Sequence, residues 1–261
     1  MSDNLMSAFS EMLAVPVPSE AETAQEMDYV TYHLSLLAGE DKTSTSDNSI
    51  TLRESRWLLA SAGATGFRTW EAGLHLGQYL CTAPEVVRGK RVLELGTGTG
   101  YVSVLCAKFL GATRAVASDG ADGVLSGLAN TEILNGLQDS PTFVPKELAW
   151  GDELVGAEEE KERGEGVDVV LGSDVTYDTR AIPALIATLG DLFNLYNGVR
   201  VILCTAERNI ATLETLLELC RGAGMVVRWI DFPTPTHEEQ RGPFYDTSVP
   251  IHIVEIRRGG A

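Results

Sequence analysis

The chain has 261 residues, of which 44% are hydrophobic, so it can bury a full core in one large domain with an appendage. Its formal net charge of −17 argues against a nucleic-acid groove, because binding to phosphates needs clustered Lys and Arg side chains. A basic protein or peptide is easier to accommodate as a partner, although charge alone gives only solubility and steering.

The N-terminus and the cysteines indicate the cellular compartment. The start lacks the basic residues and apolar core of a signal peptide, and no run approaches the ~18 apolar residues that span a bilayer. The cysteines have neither CxxC spacing nor nearby histidine pairs, which predicts buried free thiols: Cys81, Cys106, Cys204 and Cys220. We therefore expect a cytoplasmic protein without a metal site and without membrane contact.

Residues 1–48 are acidic and of mixed composition. Ser19 followed by Glu22 fits a capping box, and apolar residues from Met27 to Leu37 predict a helix that ends before Gly39. The sequence thus predicts a helical N-terminal extension, residues 1–48, in front of a catalytic domain, residues 49–261. The extension either contacts a substrate or only packs on the domain.

The next stretch prepares the first strand of the main sheet. Ile50 and Leu52 predict a short strand, and a helix is expected through Trp57. A glycine-punctuated turn, residues 63–70, then leads into a helix over residues 71–81 with one apolar side.

A glycine-rich segment, residues 91–100, predicts a strand that runs into a ligand-binding loop. Glycines at alternate positions 96, 98 and 100 allow a sharp turn and a close approach of the backbone to a ligand. The dinucleotide fingerprint needs a glycine where Tyr101 stands. Glu94 would repel a pyrophosphate but would favour a sulfonium and an α-amino group. The spacing favours S-adenosylmethionine over NAD, with a ligand-free tight turn as the alternative.

A second acidic residue follows the next predicted strand. The strand over residues 112–118 ends at Asp119, roughly 20 residues past the glycine loop, where a carboxylate accepts hydrogen bonds from ribose hydroxyls. The alternative is that Asp119 only caps the following helix.

The remaining pattern alternates strands and helices until a final strand-loop-strand unit. Strands are predicted at 142–148, 167–171, 199–205, 225–230 and 251–256, helices at 124–137, 182–195 and 213–223, and a solvated loop at 158–166. This order predicts an α/β, Rossmann-like sheet of seven strands, mostly parallel with one antiparallel strand near an edge. The connection 231–250 is longer than a hairpin needs, which is typical of functional loops.

Several spaced motifs resemble one known family. The seven-strand order, the Glu94 loop, Leu148-Ala-Trp150-Gly and Asp174-x-x-Tyr177 are similar to the seven-strand protein-lysine methyltransferases that modify chaperones and translation factors. Residues 66–72, with Leu80 and the leader 45–64, most resemble the elongation factor 2 lysine methyltransferases of fungi and animals. The resemblance covers residues 48–258. It implies a class I methyltransferase fold, S-adenosyl-L-methionine as cofactor with S-adenosyl-L-homocysteine as product, and elongation factor 2 as substrate. We also expect a monomer.

The resemblance also implies a cofactor site. Trp70 and Trp150 would bracket the adenine, because an indole offers a large flat face for stacking, and Ala149 lies beside Trp150 in the same motif. Asp119 would hold the ribose, Ser173 would lie near the sulfonium, and Arg68 would reach the cofactor carboxylate. The residues implied for the methionine part are Glu94, Gly96, Thr97 and Gly98.

Asp174 and Tyr177 are the candidate catalytic residues, because in the resembled family this tetrad faces the target lysine. Asp174 would attract and orient the ammonium, while Tyr177 would supply a hydroxyl and an aromatic wall. The substrate rim is expected at residues 207–209 and 244–245. Two alternatives remain at this stage: a small-molecule methyltransferase on the same scaffold, or a binding module without catalysis.

Overall fold

The computed structural model describes residue 6 and residues 26–37, 48–55, 65–154 and 156–259. The predicted capping box at Ser19 and the predicted helix through Trp57 lie outside the described residues. Among the helices that are described, none is both long and apolar enough to cross a bilayer.

The segment before residue 37 forms a strand, so the predicted helix over Met27 to Leu37 is wrong. Strand β1, Asp28–His33, pairs antiparallel with β2, Ser49–Glu54, in a two-stranded sheet. Its residues alternate between half-buried and exposed, which is the two-residue period of a strand. β-branched and aromatic residues such as Val30 and Tyr32 favour this conformation once β2 supplies a partner.

The main sheet has seven strands and the predicted topology. The strands are β3 Arg91–Leu95, β4 Arg114–Asp119, β5 Phe143–Glu147, β6 Val169–Ser173, β7 Arg200–Ala206, β8 Met225–Ile230 and β9 Ile251–Arg258. Their order is β5-β4-β3-β6-β7-β9-β8, and β9 runs antiparallel to both of its neighbours. The mostly parallel α/β sheet with one antiparallel strand near an edge is therefore confirmed.

Six α-helices accompany these strands in the part of the chain that the structure describes. They are α1 Glu71–Thr82, α2 Tyr101–Lys108, α3 Asp122–Asn135, α4 Ala157–Glu162, α5 Ile182–Leu195 and α6 Ile210–Gly222. Helix α4 replaces the solvated loop predicted at 158–166. It is rich in Glu and Lys, which are good helix formers, and its first turn is acidic, as the helix dipole favours.

The two faces of the main sheet carry separate apolar layers. One layer packs α1, α2 and the two-stranded sheet against the strands, and the other packs α5 and α6. The strand order reverses between β3 and β6, and ligands of doubly wound sheets bind at such a point, outside the carboxyl ends of the strands. All four cysteines are free thiols, as predicted, with Cys81 half-buried and the others buried.

The long connection 231–250 is fixed to α1. The side chain of Gln78 donates hydrogen bonds to the carbonyls of Arg241 and Pro243, at 2.7 and 3.0 Å. The Tyr245 hydroxyl donates to Gln78 Oε1 at 3.2 Å and lies 2.7 Å from Nδ1 of buried His75. Burial lowers the pKa of His75 to about 4. Tyr245 thus anchors the loop, whereas Phe244 is largely exposed.

Candidate active site

A cavity of about 540 Å³ opens at the carboxyl ends of β3, β4, β5 and β6. Every residue predicted for the cofactor site and for catalysis lines it: Trp70, Glu94, Gly96, Thr97, Gly98, Asp119, Ala149, Trp150, Ser173, Asp174 and Tyr177. Of the residues predicted for the substrate rim, 207–209 and 244–245, only Arg208 is among the lining residues. A second cavity, of about 500 Å³ and lined in part by α4, shares only Ala149 with this set. The structure therefore brings the predicted residues together in one place; their individual roles stay predictions.

Glu94 is the most buried charged group of the cavity wall, with 1% of its surface exposed. Its Oε2 accepts hydrogen bonds from the Thr97 hydroxyl at 2.6 Å and from the backbone and hydroxyl of Ser103 at 3.0 and 2.5 Å. Burial raises the pKa of this carboxyl to about 7, an effect that these hydrogen bonds partly offset and that nearby Asp119 increases. A cationic ligand group would lower that pKa again.

Gly96 keeps the floor of the cavity open. Its φ is +63°, and a Cβ there would lie 3.0 Å from Val175 Cγ1 and 3.2 Å from Trp150 Cζ2. A side chain would therefore be strained and would also displace the indole. Trp150 can form the cavity wall because residue 96 is glycine.

Tyr101 occupies the position of the missing third glycine of the dinucleotide fingerprint. A Cβ on Gly77 of α1 would lie only 2.7 Å from Tyr101 Cε1, so the glycine on α1 makes room for this ring. Close packing at the start of α2 is thus achieved by a glycine on the neighbouring helix.

Asp119 ends β4 and points its carboxylate into the loop after β3. Its Oδ2 accepts from the Gly98 backbone at 3.2 Å and its Oδ1 from the Ala121 backbone at 3.1 Å. Burial raises the pKa of Asp119, and these backbone donors oppose the rise. The Gly120 backbone also donates toward this carboxylate. A carboxylate offers about four lone-pair sites, so acceptor capacity remains for a ribose hydroxyl.

Trp70 lies between the cavity and two arginines. Its Nε1 donates to the Thr65 carbonyl at 2.9 Å, which fixes the ring. The guanidinium groups of Arg68 and Arg208 lie 4.7 and 5.2 Å from its ring centroid, within the range of cation–π attraction. Arg68 also pairs with Glu71 at 3.0 Å. The indole therefore already has cationic neighbours, and its stacking on adenine stays a prediction.

Asp174 follows β6 in a left-handed backbone conformation, with φ +52°. Such a φ is uncommon for residues other than glycine and is found at ligand sites where the surroundings hold it. Its Oδ1 accepts from the Ala206 backbone at 3.0 Å and its Oδ2 from Arg208 Nη1 at 3.1 Å. Burial raises the pKa of Asp174, while Arg208 lowers it.

Tyr177 lies at the mouth of the same cavity. It is 59% exposed, and its hydroxyl accepts a hydrogen bond from Thr65 at 3.3 Å. A buried carboxylate and an exposed phenol thus line the same cavity as Glu94 and Asp119.

Sequence reasoning missed a buried carboxylate that supports the wall. Glu54 of β2 accepts hydrogen bonds from the Thr69 hydroxyl at 2.6 Å and from the Tyr32 hydroxyl at 3.1 Å. Thr69 in turn lies 2.6 Å from the Thr99 hydroxyl of the glycine loop. The two-stranded sheet therefore holds the segment that carries Trp70. No local motif signals this network, because its members are brought together by the fold.

The cavity fits S-adenosylmethionine on three observations. Gly96 leaves space beside Trp150, Asp119 has acceptor capacity left for a ribose, and Glu94 is an anionic group that a cationic ligand would stabilise. The volume lies within the range of small-molecule sites. The described part of the chain holds no cluster of His, Cys, Asp or Glu suited to a metal ion.

Comparisons with known proteins agree with this geometry. The profile of the lysine methyltransferase family matches residues 48–225. The chain is 53% identical over 259 residues to protein-lysine N-methyltransferase EFM3 of Chaetomium thermophilum, covering 99% of this chain and 76% of that protein. It is 30% identical to EFM3 of Saccharomyces cerevisiae, over 69% of this chain and 55% of that protein.

A human relative and a solved structure complete the comparison. Human protein-lysine N-methyltransferase EEF2KMT is 30% identical over 76% of this chain and 61% of its own length. The chain thus spans somewhat more than half of the yeast and human relatives. A SAM-dependent O-methyltransferase from Thermotoga maritima superposes with a TM-score of 0.50 at 12% identity, over 74% of this chain and 68% of that one. At that identity the match shows the fold alone.

Proposed function

The chain belongs to the lysine methyltransferase family, and we propose that it methylates a lysine side chain of translation elongation factor 2. Its family makes it an S-adenosylmethionine-dependent protein-lysine N-methyltransferase. Elongation factor 2 is favoured because the human relative bears the name EEF2KMT and because residues 66–72 resemble enzymes that act on that factor.

The observation on which the proposal rests is that a buried carboxylate, Asp174, and an exposed phenol, Tyr177, line the same cavity as Glu94 and Asp119. A long basic side chain that entered beside Tyr177 could reach the Asp174 carboxylate inside the cavity, where each oxygen still has a free lone pair. A protein lysine has the required length and charge.

Different residues of the cavity would bind different parts of the cofactor. When bound, S-adenosylmethionine supplies an electrophilic methyl group on a positively charged sulfur and leaves as S-adenosylhomocysteine. Glu94 would balance the positive charge of the methionine part, Asp119 would hold the ribose hydroxyls, and Gly96, Thr97 and Gly98 would line the loop side. Ala149, Trp150 and Trp70 would border the adenosine, and Ser173 would lie near the sulfur.

Asp174 and Tyr177 would act on the target lysine. Asp174 would attract the ammonium and orient it toward the cavity, and Tyr177 would supply a hydroxyl and an aromatic wall. The amine must lose one proton before its lone pair can attack, and a carboxylate raises the pKa of an ammonium. In this proposal the docked lysine releases its proton to water, without a dedicated base. Most of the rate acceleration comes from holding the amine in line with the methyl group.

Two further properties belong to this proposal. We place the enzyme in the cytoplasm as a monomer that binds no nucleic acid or membrane; the four free cysteines support a reducing compartment. We also propose that the N-terminal extension ends at residue 48 and that the methyltransferase domain begins at residue 49. Strand β1 of the extension pairs with β2 of that domain. Light scattering of the purified chain tests the monomer.

The substrate class is tested with methyl-labelled S-adenosylmethionine and lysate from cells that lack this protein. The proposal predicts one labelled band at the size of elongation factor 2, lost with Asp174→Ala and kept with Asp191→Ala, a change at an exposed site on α5. Label in the small-molecule fraction would instead indicate a small-molecule methyltransferase. Absence of label in the presence of cofactor binding would indicate a module without catalysis.

A further inference from the structure

The guanidinium of Arg208 bridges two carboxylates at the mouth of the cavity. Arg208 lies just after β7 in the chain. Its Nη1 donates a hydrogen bond to Asp174 at 3.1 Å, and its Nη2 donates one to Glu71 of α1. The side chain of Arg208 is 40% exposed, whereas those of Asp174 and Glu71 are 9% and 16% exposed. The guanidinium also lies over Trp70. The position of the Arg208 side chain is therefore fixed by contacts with Asp174, Glu71 and Trp70.

The charges around Asp174 come from every element that meets at the cavity. Helix α1 contributes Glu71 with nearby Arg68, β3 contributes Glu94, β4 contributes Asp119, and the segment after β6 contributes Tyr177. The segment after β7 adds Glu207, which pairs with His252. The loop 231–250 adds Asp246, whose pKa is lowered mainly by hydrogen bonds from Ser248 and to a smaller extent by Arg208. Among the described residues that line the cavity, Arg68 and Arg208 are the cations.

Asp174 keeps acceptor capacity for a substrate despite its contact with Arg208. In the described structure each of its oxygens has one protein donor, the Ala206 backbone on Oδ1 and Arg208 on Oδ2. Each oxygen has a second lone pair. A substrate amine can therefore bind Asp174 without displacing Arg208, which Glu71 also holds.

This arrangement addresses a difficulty in the chemistry. An unpaired carboxylate beside the target ammonium would bind it well but would oppose the loss of its proton to water. A fixed cation on the other side of the carboxylate has the reverse effect, because it repels the charged form of the amine.

We propose that Arg208 is a positioning residue that fixes the Asp174 carboxylate and offsets its charge, so that the docked lysine loses its proton readily. The inference rests on the proposed function, which assigns Asp174 to the target lysine. Arg208 acts through Asp174 and not on the cofactor.

The test compares the wild-type protein with Arg208→Met, using purified elongation factor 2 and S-adenosylmethionine at saturation. At saturation, kcat reports ionisations in the enzyme–substrate complex. Loss of the guanidinium moves the rising limb of the kcat profile to higher pH by about one pH unit, so kcat at a fixed pH on that limb falls about 10-fold. Activity recovers as the pH is raised, which a purely structural defect would not produce.

Three controls make the result specific. Arg208→Lys keeps the charge and restores the position of the limb, although its single ammonium cannot reproduce the two-carboxylate bridge. Arg180→Met removes one positive charge at an exposed ion pair outside the cavity and leaves the profile unchanged. We expect calorimetry to show that Arg208→Met binds S-adenosylmethionine within about 3-fold of the wild-type affinity, because, among the described residues assigned to the cofactor, Arg208 contacts only the Trp70 ring.

The outcomes separate the inference from the proposed function. If the wild-type protein methylates elongation factor 2 and the rising limb of the kcat profile does not move in Arg208→Met, the inference is wrong and the proposed function is unaffected. An equal shift in Arg180→Met also overturns it, because net charge would then be the cause. If the wild-type protein transfers no methyl group, the proposed function and the inference both fall.

Discussion

Glu94 is expected to destabilise the folded chain at neutral and alkaline pH. Burial raises the pKa of its carboxyl from the ordinary value of 4.5 to about 7, so the folded state holds this proton more tightly than the unfolded chain does. The resulting stabilisation is complete below a pH of 4.5 and is lost as the pH rises through 7. A pKa difference of this size corresponds to ~3 kcal/mol of unfolding free energy above the folded-state pKa.

Glu94→Gln removes the ionisation and keeps the shape of the side chain. The amide oxygen can still accept hydrogen bonds from Thr97 and Ser103, so the variant loses little packing. We expect the two proteins to differ little in stability near about pH 5, and the variant to be more stable by ~2–3 kcal/mol near about pH 8. Binding of S-adenosylmethionine should weaken by about 10-fold or more, because the anionic partner of a cationic ligand is lost.

Urea denaturation at both pH values measures the first effect, and calorimetry measures the second. The control is Glu218→Gln on the exposed side of α6, which we expect to stay within about 0.5 kcal/mol of the wild-type stability, as surface substitutions usually do. The reasoning would be refuted if Glu94→Gln were less stable than the wild-type protein at about pH 8 by the same amount as at about pH 5. Tight cofactor binding by the variant would refute the assigned role of the carboxylate.

Further predictions concern the loop, one helix and the long connection. Gly96→Ala places a methyl group against Val175 at a φ of +63°, so calorimetry should show weaker cofactor binding and denaturation should show a loss of ~1–2 kcal/mol of unfolding free energy. Gly127→Ala, which adds a methyl group in open space on α3, should instead raise the stability of the protein. Asn209→Ala removes the side-chain cap of α6 and should cost about 1 kcal/mol, or roughly 2–4 °C in melting temperature. Gln78→Ala leaves two loop carbonyls without their donor, and the backbone amides of residues 240–242, 244 and 245 should exchange faster with solvent.

The strands of the main sheet could be predicted from the sequence because most of them, such as β3, β6 and β7, are buried apolar runs bounded by turn residues. The same holds for α1 and α5, whose apolar sides recur at helical spacing. Strand β1 was the exception: Met27 to Leu37 fits a helical spacing as well as a strand, and only pairing with β2 decides between them. Helix α4 was missed because a run of charged residues is typical of both a loop and an exposed helix.

The residues that line the cavity could be predicted from the sequence, whereas the hydrogen bonds and ion pairs that support them could not. Residues at the carboxyl ends of successive parallel strands must meet at one edge of the sheet, and this rule placed Glu94, Asp119 and Asp174 together. The contacts of Arg208 with Glu71 and of Glu54 with Thr69 depend on loops from different elements that approach each other only in the folded chain. Sequence spacing carries no signal for such contacts.

The most direct test of the central claim is mass spectrometry of purified elongation factor 2 after incubation with this protein and S-adenosylmethionine. The factor is taken from cells that lack the enzyme, and peptides are mapped before and after the reaction. We expect methyl groups on one lysine, no methylation with Asp174→Ala, and no reaction once that lysine is replaced by arginine. An elongation factor 2 that stays unmethylated, while another protein in the same lysate gains a methyl-lysine, would contradict the proposed substrate.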